Sequence, residues 1–412
     1  MDMGQRPRMN EPNTNRKISD EEGDTGSGPA AGSDLILVLN SGSSSLKFGV
    51  FARQGGSEET LFSGGASDIG ESSASLKIRS ADRKVDITEQ TGMGSQGDAL
   101  REIARVLRQY VRQMPVAVGH RIVHGGPHLR EHQRMTPEVL KQLEDATHFA
   151  PLHIPQSLEL VRQAGQTFAG VPQFACFDTA FHRSLPARAF TLPVPRRYRD
   201  EGVIRYGFHG LSYESLVSAL GDALPSRAVF AHLGSGSSVC AVRDGRSIDT
   251  SMGFTPTGGV PMGTRSGDLD PGVVLFLMRS ASLDADALEK MLNHECGVLA
   301  LAGRSADMQK LLERRDAGDQ DAALAIDVFC TDVRKQIGAY GALMGGVDLL
   351  VFTGGIGEHS DVVRDAITEG LQCFGLQASG DAHANIKVIP AAEERQIALH
   401  CRALLAQSGA HR

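Results

Sequence analysis

The sequence predicts an α/β protein made of two similar halves, and three observations predict it. β-rich apolar runs alternate with stretches of helical spacing along most of the chain. One hairpin design occurs twice, as LILVLNSGSSSLKFGVF from Leu35 and as RAVFAHLGSGSSVCAV from Arg227, and repetition on that scale marks duplicated architecture. A third glycine turn, FTGGIGE at 352–358, follows the apolar run VDLLVF, an order of strand, turn and helix that lets a nucleotide lie against backbone.

The bulk composition bounds the rest. With 412 residues, 41% hydrophobic and 22% charged, the chain has the composition of a globular protein and length for about two to three domains. No run approaches the roughly 18 apolar residues of a membrane helix, so no membrane partner is expected. A net charge of -7 argues against a broad nucleic-acid-binding face, so any anion site must be local. The cysteines at 176, 240, 296, 330, 373 and 401 form no CxxC pair and read as reduced thiols. The start, MDMGQRPRMN, has no apolar signal core, and the expected compartment is the cytoplasm.

In chain order, residues 1–34 mix charges with Gly, Ser, Pro and Asn and bury too little apolar surface to offset ordering entropy, which predicts a disordered, dispensable tail. Folding starts at Leu35. The turn Asn40–Lys47, NSGSSSLK, offers main-chain N–H groups, hydroxyls and one ammonium, a cradle for an anion but not a Walker A loop. Aligning Gly42-Ser43-Ser44 with Gly236-Ser237-Ser238 superposes the two hairpins. Ala99–Gln113 and Ala323–Met344 carry apolar residues at three- and four-residue steps and read as core-facing helices.

Four polar clusters remain: GHRIVHGG at 119–126, FDTAFH at 177–182, RYGFHG at 205–210, and the loop DTSMGFTPTGGVPMGTRSGDLDP at 249–271 with Arg265 and Asp268. That loop holds five Gly, three Pro and one Arg, and a long shaped loop with a strong cation usually serves a site. Each cluster also has a structural reading: Arg121 as an ion-pair partner, Asp178 as a helix cap, and His120, His124, His153 and His182 as packed histidines. Together they fit phosphoryl transfer, which needs Arg or Lys clamps, a metal held by carboxylate and glycine-rich loops. No HExxH or Cys/His spacing supports zinc, and no GxSxG supports an acyl-enzyme.

These blocks, with APLHIP at 150–155, HLGSGSS at 232–238 and VIPAAEE at 388–394, resemble the acetate kinase family of the actin, sugar-kinase and heat-shock ATPase superfamily, from about Leu35 to the C-terminus. The resemblance implies an actin-like, ribonuclease H-like duplicated two-domain fold with the active site in the interdomain cleft. Domains would run over 35–180 plus 390–412 and over 181–389. It implies reversible transfer of the ATP γ-phosphoryl to acetate, giving acetyl phosphate and ADP, with Mg²⁺ or Mn²⁺, in a homodimer. Arg121 and Arg265 would bind the carboxylate and neutralise the moving phosphoryl, and His209 would hydrogen-bond it. Asn40 and Glu393 would be metal-binding residues, and Asp178 would help to hold or orient the metal. Ser43, Ser45 and Lys47 would line the phosphates from one half, and His232, Gly234, Ser235 and Gly236 from the other. Asp307, Met308 and Gln309 would lie near the ribose, and Gly354, Gly355, Ile356 and Gly357 under the adenosine. Val123, Leu152, Phe208 and Pro256 would form the acyl pocket.

The chemistry of the acceptor agrees, since a carboxylate with a pKa near 4 is already ionised and needs no general base. Ser235, Gln309, His359, Ile154 and Thr257–Pro261 depart from the family pattern, three of them on the nucleotide side. The alternatives are a kinase for propionate or butyrate, a polyol kinase with Asp178 as base, and an actin-like ATPase switch without a small substrate.

Overall fold

The computed structural model describes residues 14–18, 34–42, 44–111, 113–376 and 385–409. The chain divides into two compact units, Met1–His124 with His132–Cys176 and Glu394–Arg412, and Gly125–Glu131 with Phe177–Glu393. Asp178 and Glu393 therefore fall in the second unit, a few residues from the boundaries expected at 180 and 390.

The first unit is built on strands β1 (Thr14–Ile18), β2 (Leu35–Ser41), β3 (Leu46–Gln54), β4 (Ser57–Ser67), β5 (Ser75–Ser80), β6 (Val85–Gln90), β7 (Ala117–Ile122), β8 (Gln133–Arg134) and β9 (Gln173–Phe177). Their order in the sheet is β1-β6-β5-β4-β3-β2-β7-β9-β8. Leu35–Leu39 is apolar at every position because both faces are covered; Leu35, Leu37 and Leu39 share a core with Leu100, Ile103 and Leu107 of the helix Gln96–Tyr110. That helix starts where the Ser95 side chain accepts from Asp98 N and stops before Gln113, because Val111 is already extended. Most of the expected tail lies outside the described residues, but Thr14–Ile18 is an edge strand antiparallel to β6. Main-chain pairing with an open sheet edge does not require an apolar sequence.

The second unit carries β10 (Arg227–Leu233), β11 (Ser237–Arg243), β12 (Arg246–Thr250), β13 (Leu349–Thr353) and β14 (Ile386–Val388), in the order β12-β11-β10-β13-β14. The antiparallel pairs β2/β3 and β3/β4 with parallel β2/β7 match β10/β11, β11/β12 and β10/β13. The duplication is therefore structural. Its register differs from the sequence alignment: β2 ends at Ser41 before a turn of Gly42–Ser45, and β10 ends at Leu233 before Gly234–Gly236. Gly42 thus corresponds to Gly234, two residues earlier than the GSS match, because Ser237 and Ser238 are strand residues whereas Ser44 is in a turn.

Alternate side chains of β10 face two cores. Val229, Ala231 and Leu233 pack with Phe329, Val333 and Ile337 of the helix Gln320–Met344. Ala228 and Phe230 pack with Tyr213 and Leu216 of the helix Gly210–Leu220. This second helix begins immediately after His209, which is how the fold places that imidazole. In the first unit, the C-terminal helix Glu393–Gly409 is tied to β4 by Arg402, whose Nε and Nη2 donate to Glu58 Oε1 and Oε2 at 2.7 and 2.9 Å.

Buried histidines set a pH dependence. His120 and His182 are pushed down from 6.5 to about 4 by burial. The folded state favours their neutral form, so between these values the unfolded chain binds more protons and stability falls as pH falls. Denaturant midpoints are expected to drop as pH is lowered from about 6.5 towards 4. A midpoint constant across that window would contradict neutral burial of both rings.

Candidate active site

In the first unit the Gly42–Ser45 turn is closed by Gly42 N donating to Ser45 O at 2.8 Å. Just before it, Asn40 is 7% exposed and its carboxamide is held from both ends: Nδ2 donates to Glu394 Oε1 at 2.9 Å, and Oδ1 accepts from Arg121 Nη1 at 3.2 Å. Strand pairing sets Lys47, exposed, opposite Asn40. Ser45 and Val123 are half-buried, and Leu152 is exposed. Ser43 lies outside the described residues. Glu394 was not among the residues expected at the site; its only signal is the Glu393-Glu394 doublet, in which sequence cannot assign separate roles.

In the second unit, Asp178 is 1% exposed just past β9, and its carbonyl accepts from Gly210 N at 2.8 Å. The helix-cap reading does not hold for it: the short helical turn Ala180–Ser184 is preceded by Thr179 and has no side-chain cap. Phe208 is buried, and His209 has φ 58°, a left-handed conformation uncommon for a residue with a side chain. His209 Nδ1 is 2.9 Å from Ser238 Oγ, and its ring stacks on His232 at 4.3 Å and 27°. His232 Nδ1 in turn lies 2.9 Å from Ser212 Oγ.

The Arg265 loop converges on the same place. Arg265 Nη1 donates to Pro256 O at 3.2 Å, and Gly263 N donates to Ser235 O at 3.1 Å, which ties the loop to the second hairpin turn. A methyl group on Gly236 would lie 3.3 Å from His209 Nε2 and 3.5 Å from Arg265 Nη1. The turn Gly234–Gly236 thus runs beneath an imidazole and a guanidinium, and the absence of a side chain at Gly236 lets both approach its main chain closely. Gly234 N, directed back to Gly236 O at 3.1 Å, closes the turn.

Several singled-out residues are structural. Asp268 Oδ1 accepts from Gly259 N at 2.7 Å inside the loop, and Arg205 Nη1 donates to the carbonyls of Thr250, Ser251 and Met252. His182 is held by Ser247 Oγ and Phe208 O, and His120 by Gln173 Oε1, as packed rings. Asp307 caps the helix Met308–Asp316, its Oδ1 accepting from Lys310 N at 3.0 Å; Met308 is buried and Gln309 exposed. Gly354–Ile356–Gly357 opens the short helix Gly354–His359 rather than a turn, and Glu358 Oε1 accepts from Gly354 N at 2.9 Å and from Ala391 N at 3.2 Å. Gly355 lies between them at the surface of this segment. Glu358 therefore joins the glycine segment to the residues leading to Glu393, a clamp the sequence did not reveal.

A duplicated sheet with a hydroxyl- and glycine-lined hairpin turn in each copy, and basic side chains gathered over one turn, defines a kinase of the actin-like α/β class. The acetokinase family model matches residues 35–397, and the chain belongs to that family. An acetate kinase of Methylocella silvestris is 40% identical over 413 residues, covering 92% of this chain and 100% of that protein. The crystal structure of Porphyromonas gingivalis acetate kinase is 32% identical with a TM-score of 0.81, covering 90% of this chain and 100% of that one. A propionate kinase from Francisella tularensis subsp. tularensis is also 32% identical, with a TM-score of 0.83 over 89% and 98% of the two chains.

Proposed function

We propose that this chain transfers the γ-phosphoryl group of ATP to acetate, reversibly and with Mg²⁺, giving acetyl phosphate and ADP. The observation that carries the reading is the meeting of His209 and Arg265 over the Gly234–Gly236 turn. In-line attack of an acetate oxygen on the γ-phosphorus forms the new P–O bond as the bond to the ADP oxygen breaks. The acceptor is already ionised, so the obstacle is repulsion between an anion and a polyanion.

The residue roles are those the family resemblance implies, and the clamp of cations answers that obstacle. Arg121 and Arg265 hold the carboxylate and neutralise the equatorial oxygens, and His209 donates to the phosphoryl in flight. Ser45, Lys47, His232 and the Gly234–Gly236 turn hold the phosphate chain; Asp307, Met308, Gln309 and Gly354–Gly357 serve the nucleoside. Oxygen donors suit Mg²⁺, and the buried carboxylate of Asp178 fits that requirement, with Glu393 as its partner. Asn40 fits less well as a metal ligand, because its one ligating oxygen accepts from the cation Arg121; we assign it to positioning Arg121 against Glu394. When bound, the metal would offset charge on the ATP phosphates.

Val123, Leu152, Phe208 and Pro256 frame the acyl group. The likeness to a propionate kinase supports a soft preference, since one methylene is worth only about 1–3 kcal/mol. Trapping acyl phosphate with hydroxylamine, over acetate, propionate and butyrate against ATP, GTP and pyrophosphate, tests the reading. Hydroxamate from acetate and ATP is expected. ATP hydrolysis that ignores every carboxylate would remove it in favour of an ATPase switch.

No helix among the described residues is long and apolar enough to cross a membrane. The cysteines are all free thiols, which supports a cytoplasmic, reducing setting. We also infer a homodimer. The helix Pro271–Ser280 buries none of its residues, and Val273, Leu275, Phe276 and Met278 are 41, 47, 64 and 42% exposed, an apolar surface of the kind that marks a protein interface. Light scattering should give about twice the 43.9 kDa chain mass, and Phe276→Glu should shift it towards the monomer. A wild-type monomer would dismiss the dimer.

A further inference from the structure

We propose that Tyr213 and Ser238 are positioning residues that fix the tautomer of His209, so that its proton sits on Nε2. Tyr213 is fully buried in the helix Gly210–Leu220, and its hydroxyl shares a short hydrogen bond with Ser238 Oγ. Ser238 Oγ also lies 2.9 Å from His209 Nδ1. Burial drives the Tyr213 phenol well above its ordinary value, so it remains protonated.

Only one direction uses every proton. Among the described residues the phenol hydrogen-bonds to Ser238 Oγ alone, so its proton goes there. Ser238, having accepted, donates to His209 Nδ1. A neutral imidazole carries one proton, so accepting at Nδ1 places it on Nε2. The reverse direction would set the Nδ1 proton on Ser238 and turn the Ser238 hydroxyl to Tyr213, leaving the buried phenolic proton without an acceptor among these partners, and if Ser238 Oγ accepted from both neighbours its own proton would be left over; either is costly. Nε2 is also the atom 3.3 Å from where a methyl on Gly236 would stand, beside Arg265 Nη1 at 3.5 Å from that point. The relay thus turns an N–H donor, rather than a lone pair, towards the space where we place the phosphoryl oxygens. Stacking on His232 holds the ring plane while the hydroxyl chain sets the proton.

This inference rests on the assignment of His209 to the moving phosphoryl, and the test separates the two. Long-range ¹H–¹⁵N spectra of the ¹⁵N-histidine-labelled, full-length protein, with His209 signals identified by their loss in His209→Asn, report the tautomer without any substrate. Wild type is expected to show His209 protonated on Nε2 and bare at Nδ1. Ser238→Ala should mix the tautomers and lower kcat about ten- to a hundredfold with KM for acetate and ATP little changed, Ser238→Thr should restore both, and Tyr213→Phe should give an intermediate shift. A wild-type proton on Nδ1, or a Ser238→Ala spectrum identical to wild type, overturns the proposal. A tautomer that mixes while kcat stays at the wild-type value upholds the positioning and instead removes His209 from the reaction.

Discussion

Arg265→Ala is expected to lower kcat by about a hundred- to a thousandfold, the range for removing one preorganised donor from a developing oxyanion. Stability should barely move. The loop that carries Arg265 keeps its own fastenings without the guanidinium: Asp268 N to Gly259 O at 2.7 Å, Gly267 N to Thr257 O at 3.1 Å and Met262 N to Arg265 O at 3.1 Å are all independent of the side chain. Arg265→Lys should recover little, because an ammonium cannot hold Pro256 O and also present a planar fork to a phosphoryl group. Steady-state kinetics alongside a denaturant melt checks both halves. Turnover within a few-fold of wild type would take Arg265 out of the transition state, and a collapsed melt would make it a structural residue.

Gly297→Ala should damage both activity and stability, although Gly297 lies outside every cluster that carries chemistry. Its φ is +64°, and a Cβ there would stand 2.2 Å from Met262 O and 2.5 Å from Arg265 O. Those contacts are with backbone, which cannot swing aside as a side-chain tip can. The left-handed conformation alone costs an L-residue about 1–3 kcal/mol, and the clash adds to it. Relief requires the Met262–Arg265 turn to shift, moving the guanidinium off the second hairpin turn; a displacement near 1 Å can cost about a hundredfold in rate. The expected result is a lowered melting temperature together with a kcat loss approaching that of Arg265→Ala. An unchanged kcat in a destabilised protein would show that the Arg265 position tolerates movement of its turn.

The two substitutions show how unevenly the site could be read from the chain. Arg265 announced itself, a single cation in a loop too rich in Gly and Pro to be a helix or a strand. Gly297 gave no comparable signal, because what makes it matter is the approach of a backbone segment remote in the chain. The same holds in the first unit. VIPAAEE marked a carboxylate near the C-terminal helix, but only the structure shows that Glu394 is the one bonded to Asn40, which in turn receives Arg121. Asp307 illustrates the converse: in a residue attributed to the ribose by resemblance, the structure shows a helix cap.

By itself the sequence determined the elements and their duplication. The run LILVL before a small-residue turn reads as a strand, and three- and four-residue apolar steps mark Ala99–Gln113 and Ala323–Met344 as core-facing helices, which the structure sets at Gln96–Tyr110 and Gln320–Met344, since side-chain period is a local property of the backbone. The glycine and hydroxyl turns were legible for the same reason. Tertiary structure alone decided which Gly of the second hairpin matches Gly42, which carboxylate takes Asn40, and how His209, Ser238 and Tyr213 share their protons. These are matters of register and of hydrogen bonds between distant segments, and a one-residue change of strand register, invisible in composition or spacing, would turn each side chain to the opposite face.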